Sequence, residues 1–214
     1  QFELGKEPRF SATNLHLIAE ASRRAFCDRA RHLADPDFVD IPSHLTNKEY
    51  ARELADSITP KKATPSHTLA KELHVAGESE STTHFSVVDA DGMAVSNTYT
   101  LEASWGSRIV VRGVGFLLNN EMGDFNWFPG ETNTRGRIGT EPNQIAPGKR
   151  MLSSQSPVIV TRNGKVVLVT GSPGGRTIIN TVLNILVSTL EFKMPLAEAV
   201  DAPRTHHQWF PDQL

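Results

Sequence analysis

Apolar residues recur every three or four positions between Asn14 and Leu33: Leu15, Ile18, Ala21, Ala25, Phe26, Ala30 and Leu33. That period predicts an amphipathic helix. Arg23, Arg24, Asp28, Arg29 and Arg31 fill the remaining places, as expected of a solvated face. Ser11 and Thr13 are N-cap candidates, and Asp35-Pro36 is a stop signal. A shorter helix is predicted from about Asn47 to Ser57, with Tyr50, Leu54 and Ile58 as its apolar stripe. From Thr59 to Ser81 large apolar residues are few, so this stretch reads as an exposed connector. Its end, Gly77-Glu78-Ser79-Glu80-Ser81, reads as disordered.

The period changes to two near Thr83. Phe85, Val87 and Val88 lead into Asp89-Ala90-Asp91-Gly92, and Ala94, Val95, Thr98, Tyr99 and Leu101 follow. Asp-Gly between two β-prone runs predicts a hairpin. Val158-Ile159-Val160, Asn163-Gly164 and Val166-Val167-Leu168-Val169 predict another. Thr177 to Leu190 reads as a buried helix entered through a glycine-rich turn, and Leu196 to Asp201 as a short helix ended by Ala202-Pro203. Between the hairpins, Asp124 to Arg150 is rich in Gly, Pro, Asn and Thr, the composition of a functional loop or lid. Hairpins covered by helices imply a layered α/β or α+β fold, and the pattern alone does not separate the two.

Composition narrows the function classes. The chain has 214 residues, a net charge of -2 and 21% charged residues, which gives no reason to expect nucleic acid or an anionic membrane as partner. The longest apolar-rich stretch, Ile178 to Leu190, is interrupted by Asn and Thr and falls short of the roughly 20 residues a membrane helix needs. One cysteine, Cys27, excludes an internal disulfide framework and a multi-thiolate metal site. It sits among Ala25, Phe26 and Ala30, where a packed thiol is expected. Gln1-Phe2-Glu3-Leu4-Gly5 lacks a basic region followed by an apolar one, and both ends read as cuts.

The adjacent pair Thr82-Thr83 carries the candidate chemistry. A threonine hydroxyl is a weak nucleophile without a base beside it, and a threonine at the start of a polypeptide can use its own α-amino group. That amine titrates at about 7.7–8.0, close to working pH. Thr82 is internal, so this chemistry requires the Ser81–Thr82 bond to be cut first.

Thr82-Thr83-His84-Phe85-Ser86-Val87-Val88-Asp89 resembles the γ-glutamyltranspeptidase family. The likeness continues through Leu117-Leu118-Asn119-Asn120-Glu121-Met122-Gly123-Asp124-Phe125 and Pro147-Gly148-Lys149-Arg150-Met151-Leu152-Ser153-Ser154. It runs on through Thr170-Gly171-Ser172-Pro173-Gly174-Gly175 and Ala202-Pro203-Arg204-Thr205-His206-His207-Gln208-Trp209. Upstream, His16 to Ala21 and Ala34 to Phe38 look like the end of that family's large subunit. The resemblance implies an α+β fold, the four-layer αββα sandwich of the N-terminal nucleophile hydrolases, present here in part. Residues 1–81 would be the C-terminal part of the large subunit, and 82–214 most of the small, catalytic one. The two would form one structural domain after autocatalytic cleavage between Ser81 and Thr82.

Carried over by motif, Thr82 is the nucleophile and its freed amine the base, while Thr100 assists by contacting the nucleophile. Gly174 and Gly175 are the oxyanion donors; a phosphate loop is excluded there because Arg176-Thr177 replaces the Gly-Lys-Ser/Thr that a P-loop needs. Glu121 and Asp124 hold the substrate ammonium, and Ser153 and Ser154 help hold its carboxylate. Glu102 stands beside the ammonium where many members carry asparagine, and Arg135 stands at a lid position where some carry tyrosine. The family's carboxylate-binding arginine lies earlier in the large subunit, so residues 1–214 alone are expected to be inactive. The implied substrates are glutathione and related γ-glutamyl amides, with water, an amino acid or a peptide as acceptor. The implied partner is the remainder of the large subunit, and the implied location is the periplasm or the exterior. No cofactor is expected. No metal is expected either, since adjacent His206 and His207 cannot both face one site and His-Glu-x-x-His is missing. The alternatives are a related amide acylase of the glutaryl or cephalosporin type, or a non-cleaving, non-catalytic homologue.

Overall fold

The computed structural model describes residues 2–70, 75–76, 82–132 and 137–214, with the backbone alone of Val75, Ala76 and Arg137. The polar stretch from Gly77 to Ser81, and Arg135, expected at a lid position, lie outside the described residues. The chain divides into two compact units. One comprises Gln1–Gly77, Phe125–Leu152 and Asn184–Leu214; the other comprises Glu78–Asp124 and Ser153–Leu183. This division does not follow a split at residue 81, because the first unit joins segments from both sides of it.

In that first unit, helix α1 (Ala12–His32) starts where the Ser11 side chain accepts from the Asn14 N–H at 3.2 Å. Ile18, Ala19, Phe26, Cys27 and Ala30 are its buried apolar face. The arginine-rich face is not solvated as expected: Arg23, Arg24 and Arg29 are buried, and Glu20 is fully buried. The reason is charge pairing. Glu20 takes hydrogen bonds from Arg23, from Arg24 Nη1 (2.6 Å), from the Thr64 N–H (3.0 Å) and from the Thr64 hydroxyl (2.6 Å). Arg23 Nη2 also reaches His207 Nε2 (2.8 Å) and Asp212 Oδ1 (3.1 Å). A buried charge is tolerated only when paired in this way.

The same network anchors the expected exposed connector, which is exposed at residues 59–63, 65, 67 and 68. Ser66 and Ala70 are buried, and Ser66 donates its N–H to Asp212 Oδ2 (2.8 Å) while its carbonyl accepts from Trp209 Nε1 (2.8 Å). Polar residues there are anchors, which a hydrophobicity pattern does not register. Helix α2 (Lys48–Asp56) follows the predicted span. Strand β1 (Val75–Ala76) pairs antiparallel with β4 (Arg137–Ile138), inside the segment that reads as a lid. Arg150 clamps Asp35 through its N–H (2.8 Å), Nε (3.0 Å) and Nη2 (2.5 Å), so that segment is tied down at its end. The helix predicted to reach Leu190 passes into a π-helical turn over Val187–Glu191, and α4 (Leu196–Asp201) has the predicted bounds.

The second unit is built on two hairpins. Strands β2 (Thr82–Val88) and β3 (Ala94–Thr100) pair antiparallel without a slip, and β5 (Val158–Arg162) pairs with β6 (Lys165–Thr170). Asn163 and Gly164 both have positive φ, 52° and 75°, as a type I′ turn requires. At the first turn, Asp89 Oδ1 accepts from the N–H groups of Asp91 (3.0 Å) and Met93 (2.8 Å). Side chains alternate along a strand. His84, Ser96 and Thr98 therefore share one face, and Ser96 donates its hydroxyl to the Thr170 carbonyl at 3.0 Å, joining the hairpins. Phe85, Val87, Val95 and Tyr99 occupy the opposite, exposed face. Helix α3 (Thr177–Leu186) begins just after Gly174 and Gly175.

Candidate active site

The β2–β3 register sets Thr82 directly opposite Thr100. Facing residues on an antiparallel pair have Cβ atoms about 5 Å apart, within reach of hydroxyl contact. After Thr100 the chain turns sharply, with Glu102 in the left-handed region at φ 69°. The Thr100 hydroxyl stabilises this turn by accepting from the Glu102 N–H at 2.8 Å.

Asn119 and Asn120 brace that turn against the next one. Asn120 donates its side-chain amide to Glu102 Oε2 (2.6 Å) and accepts from the Ala103 N–H (3.0 Å). Asn119 accepts from the Glu121 N–H at 3.0 Å, opening the 3₁₀ turn Glu121–Asp124. The Glu102 carboxylate lies over Gly123, where a Cβ would fall 2.0 Å from Oε1 and would push that carboxylate aside. Glu102, Glu121 and Asp124 are thereby gathered on one wall.

Burial pushes the Glu121 carboxyl pKa up, against opposing hydrogen bonds from the Thr100 hydroxyl, the Asp124 side chain and the Glu102 backbone. Its Oε1 is buried and has no hydrogen-bond partner among the described residues. An acceptor in that state is an incomplete site for a donor.

The remaining wall comes from the residues around α3. Thr177 donates both its N–H (3.0 Å) and its hydroxyl (2.6 Å) to the Gly174 carbonyl. Carbonyl and N–H point oppositely across a trans peptide, so the Gly175 N–H is turned away from Thr177. Gly174 and Gly175 have φ 125° and 55°, and a Cβ on Gly174 would lie 2.5 Å from Thr177 Oγ1. Ser154 is buried, and the Ser153 hydroxyl accepts from the Gln155 N–H at 3.1 Å.

Two cavities meet at Thr82 and Thr100. A small one is lined by Glu102, Glu121, Asp124, Ser153, Ser154 and Gly175. The other, an open cleft of about 540 Å³, is lined by Thr83, Tyr99, Ser104, Pro173 and Gly174. Every described candidate residue thus borders Thr82 in one cavity or the other. Of the cleavage pair, Ser81 lies outside the described residues. The bracing pair Asn119-Asn120 and the tether Thr177 had no functional role in the sequence reading, although both asparagines stand inside a motif quoted there. His206 and His207 lie elsewhere: His207 is buried beside Arg23, and His206 Nε2 lies 2.8 Å from Gln208 Oε1. Among the described residues no group of three or more His, Cys, Asp or Glu is placed to hold a metal.

Comparison with known families settles the ancestry of this arrangement. The family model described as gamma-glutamyltranspeptidase matches residues 1–214. The chain belongs to the gamma-glutamyltranspeptidase family. Its α+β fold is accordingly that of the N-terminal nucleophile hydrolases. It is 48% identical over 214 residues to the glutathione hydrolase proenzyme of Escherichia coli K12, covering 100% of this chain and 37% of that protein. Against the glutathione hydrolase proenzyme of Pseudomonas aeruginosa it is 50% identical over 202 residues, 94% of this chain and 36% of that protein. The chain therefore spans little more than a third of these relatives. Among solved structures, the gamma-glutamyltranspeptidase from Pseudomonas nitroreducens complexed with L-DON superposes with a TM-score of 0.56 at 55% identity, covering 61% of this chain and 67% of that one. An acylase proenzyme of Pseudomonas sp. strain SE83 is 36% identical over 204 residues, 95% of this chain and 34% of that protein. Among the described residues no helix is long and apolar enough to cross a membrane.

Proposed function

We propose that this chain carries the nucleophile, oxyanion donors and ammonium pocket of an enzyme that hydrolyses and transfers γ-glutamyl groups, with glutathione and related amides as donors. Maturation is self-cleavage. The Thr82 hydroxyl attacks the Ser81 carbonyl, the amide becomes an ester with release of the Thr82 amine, and water hydrolyses the ester. Residues 1–81 then belong to the large subunit and 82–214 to the small one, with the rest of the large subunit as partner. The periplasmic or extracellular location rests on family likeness alone.

In turnover, the freed amine takes the hydroxyl proton as Thr82 attacks the γ-carbonyl. Gly174 and Gly175 stabilise the oxyanion, where one well-placed donor contributes roughly 3 kcal/mol. The glutamyl group lies in the small cavity, its ammonium against Glu121, Asp124 and Glu102 and its carboxylate against Ser153 and Ser154. The leaving amine departs into the open cleft beside Thr83 and Tyr99, and water or an acceptor amine enters the same way to release the acyl group.

The observation that carries this reading is the Glu121 Oε1 atom, buried and lacking a partner among the described residues, beside the Thr82–Thr100 pair. An ammonium supplies the missing donor, and a glutaryl group has none to supply. That favours a γ-glutamyl over a glutaryl substrate. Comparing release from γ-glutamyl and glutaryl anilides by the full-length protein tests it: γ-glutamyl should be strongly preferred, and a glutaryl preference would transfer the protein to the acylases.

A further inference from the structure

His84 follows the nucleophile by two residues, so its side chain leaves the same face of β2 as that of Thr82. Both ring nitrogens are engaged by hydroxyls, Nδ1 at 3.0 Å from Thr98 Oγ1 and Nε2 at 3.1 Å from Ser86 Oγ. Both partners stand on the hairpin face that carries the ring, Thr98 buried and Ser86 exposed, so the ring is tethered to the strand that carries Thr82. Burial lowers its pKa, which keeps the imidazole neutral.

The far side of the ring meets Gly171. A Cβ at that position would fall 2.1 Å from His84 Cε1, 2.3 Å from Nδ1 and 2.7 Å from Nε2. Gly171 is absent from the glycines with positive φ, so its backbone conformation is open to any residue. With the ring in its observed rotamer there is no room for a Cβ here. Gly171 follows the last residue of β6 and opens the loop that reaches Gly174 and Gly175. The ring therefore lies between the strand bearing the nucleophile and the root of the loop bearing the oxyanion donors. The Ser96–Thr170 hydrogen bond ties the same two elements beside it.

We propose that His84 is a positioning residue: its ring, seated on the bare backbone of Gly171, sets the distance between Thr82 and the Gly174-Gly175 donors. This rests on the function proposed above. It assigns His84 no proton transfer, since both nitrogens are occupied by structural hydroxyls. Its leverage is geometric, because an ångström of misplacement at a reacting centre costs about a hundredfold in rate.

The test is a double-mutant cycle on the full-length protein with a γ-glutamyl anilide. Gly171→Ala forces the ring and loop apart and should lower kcat about a hundredfold, with donor KM within about twofold. His84→Ala alone should lower kcat less. Combining the two should raise kcat about tenfold above Gly171→Ala, because the methyl group then occupies space the ring has vacated. His84→Asn, which keeps a polar group on the strand, guards against a folding failure and should retain a kcat between those of wild type and His84→Ala. The pH profile of kcat should keep its wild-type inflections in all four. Losses that multiply in the double variant, a loss expressed in KM, or a displaced inflection would each overturn the assignment. A wild-type protein that releases no anilide would instead overturn the proposed function, leaving the cycle without a signal.

Discussion

The Thr100 hydroxyl accepts the Glu102 N–H at 2.8 Å and also serves as a hydrogen-bond partner of the Glu121 carboxyl. Thr100 stands opposite Thr82, so a single hydroxyl connects the strand partner of the proposed nucleophile to the pocket proposed for the ammonium. The two functions share one anchor.

Thr100→Val keeps the shape of the side chain and removes that anchor. It should lower kcat of the full-length protein by about a hundredfold, the lower range for a lost proton-handling group. It should also raise donor KM, because Glu121 loses a partner. Steady-state kinetics with a γ-glutamyl anilide checks both. A change in kcat alone would separate Thr100 from the pocket.

Glu121 should impose opposite pH trends on binding and stability. Its pKa is raised by burial, so donor binding should weaken as pH falls through a value above the ordinary carboxylate range. The folded state holds this proton at higher pH than the unfolded chain does, so stability declines as pH rises from the ordinary value to the raised one. Glu121→Gln should therefore raise donor KM at least tenfold while leaving the neutral-pH melting temperature unchanged or higher. Kinetics and thermal unfolding across pH measure the pair of effects.

At the oxyanion loop, Gly174→Ala places a methyl group 2.5 Å from Thr177 Oγ1 and strains a residue at φ 125°. The expected loss is about a hundred- to a thousandfold in kcat, the scale of one lost oxyanion donor, with little change in donor KM. A matched loss in affinity would mean that the loop shapes the pocket and not the transition state.

Much of this was legible in the chain because it is local. The hairpin turns Asp91-Gly92 and Asn163-Gly164 announce themselves, and a hairpin with fixed register places Thr100 opposite Thr82 without further information. What escaped depends on partners distant in sequence. The arginines of α1 read as solvated because, although Glu20 is one helical turn away, nothing near them in the chain shows that Thr64, His207 and Asp212 close over that cluster. The same holds for Gly171, which meets the ring of His84 from far earlier in the chain.

The buried network predicts its own pH signature. His207 is lowered from 6.5 to about 4, by burial first and then by the neighbouring Arg23 charge. The unfolded chain takes up this proton first, so stability is complete above about 6.5 and declines as pH falls toward 4. Chemical denaturation between those pH values should show the slope, and His207→Gln should flatten it. Arg23→Met should destabilise the fold by less than the roughly 3–5 kcal/mol of a stranded buried charge, since Glu20 keeps Arg24 and Thr64 and Asp212 keeps the Ser66 N–H.

The central claim is that Thr82 is both the residue freed by cleavage and the residue acylated in turnover. Peptide mapping by mass spectrometry of the full-length protein, quenched during turnover of a γ-glutamyl donor, tests both at once. A downstream polypeptide beginning at Thr82, carrying one glutamyl group on that residue and missing from Thr82→Ala, is the expected result. An uncut chain, or a glutamyl group on any other residue, would contradict it.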